Sequence, residues 1–448
     1  MLHSNGFPEL GDHAPRFVAL SRMKLPPPGR EVLLALRQLA WWTVWVAPVG
    51  VFAGSASAGF LWLLDRVTEY RWHHGWLLYL LPLSGLLVGL IYHWIGRDAA
   101  GGNNLILDQI HAPGGGVPRR MAPLVLLGTL VTHLFGGSAG REGTAVQMGG
   151  SLASSWGRLF NASPANHRIL LLAGVAAGFG SVFGTPLTGA IFALEVLVIG
   201  RIDHEAFIPV LLASVIGDAT CSAWGIHHTA YHIDPMLPAS ALAPWNTWLV
   251  LKIAVAGIAC GLVSRLFSST AHALQDLWKR LIPWAPFRPI LGGVGVIALV
   301  LLVGTRDYLG LGVRGPEPDS ISIVNAFHAG GTTTWSWAWK LLFTVITVSS
   351  GFKGGEVTPL FFIGAALGNT LGVLMGAPID LFAGIGFLAV FAGATNTPLA
   401  CTVMGLELFG AHHVVAFALA CFLAYAFSGH TGIYAAQRPG NGKGKERN

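Results

Sequence analysis

Phe135-Gly136-Gly137-Ser138-Ala139-Gly140-Arg141-Glu142-Gly143-Thr144-Ala145-Val146-Gln147-Met148-Gly149-Gly150 places two charges among glycines, between long apolar flanks. A charge at membrane depth is costly and usually functional. Glycine lets a backbone bend and brings its N–H groups close to a ligand. A run of this kind opening into a helix forms an anion cradle, because the first-turn N–H groups and the helix dipole point the same way. Glu142 sits inside that cradle as a protonatable carboxylate that competes with a free anion. Its neighbour Arg141 is not expected to neutralise it, because adjacent residues on a helix point apart.

The flanks decide the class of protein. Apolar residues make up 53% of the 448 and charged residues 11%, against about 25% charged in ordinary soluble domains. Runs such as Trp41 to Leu64, Trp76 to Ile95, Ile253 to Phe267 and Pro289 to Val303 are nearly charge-free. Several approach the roughly 20 residues that span a bilayer. The chain is therefore read as an all-α polytopic membrane protein. No cleavable leader is evident before the first span. The net charge of +6 lies in loops and tails, so it gives no reason to expect a nucleic-acid partner. Basic residues before the first span and after the last place both termini in the cytoplasm. Cys221, Cys260, Cys401 and Cys421 lack metal-ligand spacing and are read as small core residues.

Residues 1–34 form a cytoplasmic arm in this reading. Two long helices follow near 36–66 and 75–96. A polar interruption from Gly96 to Arg120 carries Gly101-Gly102-Asn103-Asn104. Glycine and asparagine at this depth point to broken helices, tolerated only where they line a cavity. Shorter apolar segments follow near 121–137, 143–157, 168–183, 186–200 and 206–223, closing a first transmembrane repeat over 35–225. A connecting loop covers 226–245 and a second repeat 246–436. Its segments lie near 246–271, 287–305, 337–351, 357–376, 380–393, 396–410 and 412–428, and a basic tail occupies 437–448. These segments are too short and too many for a bundle of full spans, so re-entrant half-helices are expected.

Two motifs recur in the same order. Gly140-Arg141-Glu142-Gly143-Thr144 returns as Gly354-Gly355-Glu356-Val357-Thr358. Thr185-Pro186-Leu187, followed by Glu195, returns as Thr397-Pro398-Leu399, followed at the same spacing by Glu407. An odd number of crossings per repeat inverts the second copy, as in many secondary transporters. Glu356 is thus the counterpart of Glu142. Its competing reading is a helix cap, since carboxylates suit helix N-termini. Asn103 and Asn104 either hold a turn or offer amides to a small anion. Thr144 and Thr358 offer hydroxyls beside each glutamate, though threonine also bonds its own helix. Glu195 and Glu407 are read as structural. The pairs His227-His228 and His412-His413 lack metal spacing and are assigned to surfaces or helix ends.

With the repeat in place the chain resembles the CLC family of anion transporters over roughly residues 35–436. Gly140-Arg141-Glu142-Gly143-Thr144 matches the gating-glutamate motif, with Thr144 where proline is more usual. Gly355-Glu356-Val357-Thr358-Pro359 resembles the start of the second anion-site helix, and Tyr434 falls where the central anion-coordinating tyrosine is expected. The resemblance implies a CLC-type fold of two inverted repeats and a homodimer with one pathway per subunit. It implies no cofactor and no metal. The departures are similar to the fluoride/proton antiporters of the family, the CLC-F type. The usual Gly-Ser-Gly-Ile-Pro is here Ala100-Gly101-Gly102-Asn103-Asn104, which lacks the serine hydroxyl. Val196 stands where chloride/proton exchangers carry an internal glutamate, and Glu356 replaces a usually apolar residue.

The resemblance thus implies fluoride export coupled to proton entry across the plasma (inner) membrane, with Glu142 as gate and Glu356 as a second proton site. The implied anion ligands are Gly101, Gly102, Asn103, Asn104, Arg141, Gly143, Thr144, Val357, Thr358 and Tyr434. A chloride/proton exchanger or chloride channel is the nearest alternative. An intramembrane hydrolase is disfavoured, because no serine–histidine or metal-ligand pattern falls on the polar helix starts.

Overall fold

The computed structural model describes residues 28–112, 114–234 and 247–440. Most of the expected N-terminal arm, the middle of the connecting loop and the tail from 441 lie outside them. The chain divides into a unit ending at Trp41, of which the described part is the opening of the first helix, and a unit from Trp42 onward. The second unit is described below.

Fifteen α-helices lie among the described residues. The first half holds α1 (Pro28–His73), α2 (Leu81–Trp94), α3 (Gly102–His111), α4 (Met121–Leu134), α5 (Glu142–Leu159), α6 (Pro164–Phe183), α7 (Pro186–Glu195) and α8 (Phe207–Ala223). The second half holds α9 (Thr247–Leu281), α10 (Arg288–Val303), α11 (Ser336–Ser349), α12 (Val357–Met375), α13 (Ile379–Thr395), α14 (Pro398–Phe409) and α15 (Val414–Phe427). Most expected segments fall on these helices within a few residues. The interruption from Gly96 to Arg120 contains α3, a helix too polar to register as an apolar segment.

Among the described residues, six helical stretches are long and apolar enough to cross a membrane. Others, such as α7 with 10 residues and α14 with 12, are too short for a bilayer core of about 30 Å at 1.5 Å per residue. The breaks have local causes that repeat between halves. Gly184 (φ 71°) and Asn396 (φ 58°) end α6 and α13 in the left-handed conformation. A Thr-Pro step then opens α7 and α14, with proline at the first helical position, where its missing N–H costs nothing.

Burial runs opposite ways on inner and outer helices. α6 and α13 are buried along almost their whole length, whereas α1, α2, α9 and α10 expose Trp62, Leu87, Leu262 and Leu301. Large apolar side chains facing outward suit a lipid surround. Inside, Phe361 stacks on Phe387 at 3.9 Å between ring centres, and Phe179 on Phe192 at 4.5 Å.

The two halves use one crossing twice. α5 meets α6 where a side chain on Gly149 would run into the carbonyl oxygen of Gly174, and α12 meets α13 where one on Gly364 would strike that of Gly386. Gly364→Val is therefore expected to abolish recovery of folded protein, since overpacking a close-packed crossing costs about 1–3 kcal/mol or more. Gly59→Ala, on the exposed side of α1 with nothing near the added carbon, serves as the tolerated control. Size-exclusion profiles in detergent distinguish them, and a monodisperse Gly364→Val would show that the crossing has slack.

Candidate functional site

Both copies of the recurring motif open helices, and the two openings are joined. Gly140 N donates to Gly355 O at 2.5 Å, and Gly355 N donates to Gly140 O at 2.8 Å, in an antiparallel bridge. The stretch before Gly140 is fastened to α11, where Ser138 N donates to Thr347 Oγ1 at 3.1 Å. The starts of α5 and α12 thus meet at one buried point, and each leaves first-turn N–H groups without intrahelical partners.

Glu142 is fully buried there, yet its carboxylate reaches the other helix. Thr358 N donates to Oε2 at 3.0 Å, and Thr358 Oγ1 lies 2.6 and 2.7 Å from the two carboxylate oxygens. Arg141 N donates to Oε2 at 3.2 Å. The carboxylate therefore takes up donors at the start of α12. Val357 is the first residue of that helix. The expectation that Arg141 stands apart from Glu142 is corrected: Arg141 Nε lies 3.5 Å from Glu142 Oε1. Arg141 is the N-cap of α5 rather than a residue within it, so the rule for helical neighbours does not govern it.

Two cavities flank this point, and Glu142 lines neither. The larger, about 260 Å3, is lined by Arg71, Arg141 and Arg314 against Asp65 and Glu69. Three guanidinium groups against two carboxylates give a mouth that attracts anions. His227 and His228 also line it, and His227 is exposed there, in keeping with a surface position. The smaller cavity, about 130 Å3, is lined by residues 101–104, Gln147, Lys353, Glu356 and Tyr434.

Glu356 is the N-cap residue of α12, but its side chain makes no capping hydrogen bond. The capping alternative fails, and the carboxyl faces the cavity instead. Gly101 is the N-cap of α3, and Gly102 opens that helix with φ 56°. Asn103 directs its amide to the start of α5, with Nδ2 3.0 Å from where a side chain at Gly143 would begin. Its Oδ1 is buried without a partner. Tyr434 is 9% exposed and meets Phe192 edge-on at 6.5 Å, so it is no interfacial anchor.

The Thr144 hydroxyl is committed elsewhere, and the Asn104 oxygen is held by the backbone while that residue still lines the smaller cavity. The Thr144 hydroxyl lies 2.6 Å from that of Thr129 in α4, so it braces two helices. Asn104 Oδ1 accepts from Ala436 N at 3.0 Å and fixes the segment carrying Tyr434. Gln437 completes that anchorage by donating to the carbonyls of Val196 and Thr395, each at 3.0 Å. The boundary drawn after residue 436 therefore cuts a segment packed into the body. Gln147, Lys353 and Gln437 escaped the sequence reading. The lysine alone left a signal, a charge beside the second glycine motif.

Glu195 and Glu407 form a reciprocal pair away from both cavities. Glu195 accepts from Leu399 N at 3.1 Å and Ala400 N at 2.8 Å, at the start of α14. Glu407 accepts from Leu187 N at 2.9 Å and Thr188 N at 2.8 Å, at the start of α7. Each half caps a helix of the other.

The family profile described as voltage gated chloride channel matches residues 84–429. The chain is similar to the chloride/fluoride channel protein of Pseudomonas syringae pv. tomato, at 48% identity over 419 residues, covering 92% of this chain and 90% of that one. Among solved structures it is similar to a CLC-type fluoride/proton antiporter, at 33% identity and a TM-score of 0.84, covering 90% of this chain and 98% of that one. A slow cyanobacterial Cl−/H+ antiporter shares the fold, at 20% identity and a TM-score of 0.72, over 88% of this chain and 96% of that one.

Proposed function

The chain belongs to the voltage gated chloride channel family, and from that premise we propose that it is a secondary transporter, not an enzyme, exporting fluoride in exchange for protons. One observation carries the reading. The Glu142 carboxylate takes the N–H and hydroxyl of Thr358 at the start of α12, the groups a small anion would use. Ionised, Glu142 blocks that position. Protonated, it loses its hold on two donors that favour a charged acceptor, and an anion replaces it. One group thereby links the two substrates. Glu356, in the adjoining cavity, carries the proton over the part of the route that Glu142 cannot reach. The basic ends of the chain support cytoplasmic termini in the plasma membrane, with Glu356 then on the cytoplasmic side. The assembly is proposed to be a homodimer with a pathway in each subunit.

Fluoride rather than chloride is supported by Asn103 and Thr358, hard hydrogen-bonding groups at the site, and by the absence of a serine at residues 100–104. Purified protein in liposomes, followed with fluoride and chloride electrodes under a pH gradient, is expected to move fluoride well ahead of chloride. Equal rates would replace this reading with chloride/proton exchange.

A further inference from the structure

We propose that Lys353 is a direct ligand of the transported anion, holding it in the smaller cavity opposite Glu356. The inference rests on the transport reading above and adds a residue and a station to it.

Lys353 lies in the turn just before Gly354-Gly355-Glu356 and lines the cavity. Among the described residues its ammonium has no ion-pair or hydrogen-bond partner, and its one polar contact is the face of Tyr92, 4.0 Å from the ring centre. A ring face attracts a cation but takes none of its three N–H bonds in the way an oxygen does. Lys340 shows how a structural lysine is treated in the same protein. It is fully buried, its Nζ donates to the carbonyls of Tyr308 at 3.0 Å and Gly310 at 2.8 Å, and Phe362 covers it at 5.3 Å. Lys340 is satisfied by protein, whereas Lys353 lines a cavity and has no such bond among the described residues.

That space is kept clear for it. A side chain on Gly128 in α4 would begin 2.8 Å from both Cβ and Cγ of Lys353, so the helix carries no side chain where the lysine stem passes. On the same cavity wall the Glu356 carboxyl caps nothing, and Asn103 and Gln147 bring side-chain amides whose NH2 groups can donate. Several polar groups thus converge on one small volume without using one another. Such convergence marks a binding site rather than a packed core.

The charges give the arrangement a purpose. Tyr92, Lys353, Glu356 and Tyr434 are the titratable groups on the cavity wall. With Lys353 charged and Glu356 ionised, the two formal charges cancel. An entering anion pairs with the ammonium and leaves the Glu356 charge uncompensated, unless that carboxyl takes up a proton. Anion loading and proton loading therefore favour each other at this station.

The test measures fluoride flux and proton uptake in liposomes, against fluoride concentration on the Glu356 side, for wild type, Lys353→Met, Lys353→Arg and Lys353→Cys. Thermal unfolding is recorded for each. Loss of a desolvated charged partner is expected to raise the KM for fluoride by about tenfold or more in Lys353→Met, while Lys353→Arg stays within about threefold of wild type. In Lys353→Cys, a reagent adding an aminoethyl group is expected to restore the KM and a neutral methylthio reagent is not. This arm decides the question if Lys353→Met does not fold. An unchanged KM in folded Lys353→Met, or equal rescue by both reagents, overturns the proposal. All arms are repeated with chloride. A wild type that prefers chloride defeats the fluoride reading alone, and the Lys353 comparison then decides the lysine's role with that ion.

Discussion

Glu142→Gln is expected to reduce pH-driven uphill fluoride movement to background, below about a hundredth of the wild-type rate, the lower range for removing a positioned proton-transferring side chain. The substitution keeps the shape and removes the chemistry. The native carboxylate receives both the N–H and the hydroxyl of Thr358 and the N–H of Arg141. An amide has one oxygen for these donors, and its NH2 group cannot alternate between charged and neutral forms. Whatever passive flux survives, a pH gradient no longer drives it. The measurement is fluoride efflux from liposomes against a fluoride gradient with an imposed pH difference. Uphill movement by the variant would show that Glu142 is not the gate.

Glu356→Gln and Glu195→Gln are expected to fail in opposite ways. Both side chains are carboxylates in apolar sequence, yet their surroundings differ. Glu356 lines the smaller cavity and caps nothing, so neutralising it should sever proton uptake from fluoride efflux and leave the unfolding temperature nearly unchanged. Glu195 accepts from Leu399 N and Ala400 N, and the amide would set an NH2 group against one of those donors. A cost of about 1–3 kcal/mol in stability follows, with the ratio of protons to fluoride retained. Parallel flux, proton-uptake and thermal-unfolding measurements separate the outcomes. Intact coupling in well-folded Glu356→Gln would remove Glu356 from the proton route.

The helices of this fold were legible because a membrane protein writes its spans in composition. Apolar runs marked nearly every helix, and glycine and Thr-Pro steps marked where they break. The two recurring motifs also pointed to the segments that the structure brings together at the Gly140–Gly355 bridge. Broken helices were expected between Gly96 and Arg120, but the bounds of α3 were not legible, because it is short and carries polar residues. Side-chain allegiance was hidden as well. Thr144 and Thr358 occupy equivalent places in the two motifs, yet one hydroxyl faces Thr129 and the other Glu142. No local pattern tells them apart, because the choice depends on which side chain the fold brings beside each helix start, Thr129 in one case and Glu142 in the other. The bond from Ala436 N to the Asn104 oxygen was hidden for the same reason: its partner is remote in sequence and is a backbone group that any residue could supply.

The bridge between Gly140 and Gly355 bears on how substrates change sides. Many inverted-repeat carriers expose a site alternately by rocking one half against the other. Here the halves are knotted at the site by two mutual hydrogen bonds, and again by Glu195 and Glu407. Rocking would tear these buried bonds open on every cycle, each at a cost of about 1–3 kcal/mol. The frame is consequently a stator. On the transport reading proposed above, the moving part would be the Glu142 side chain turning about its own bonds.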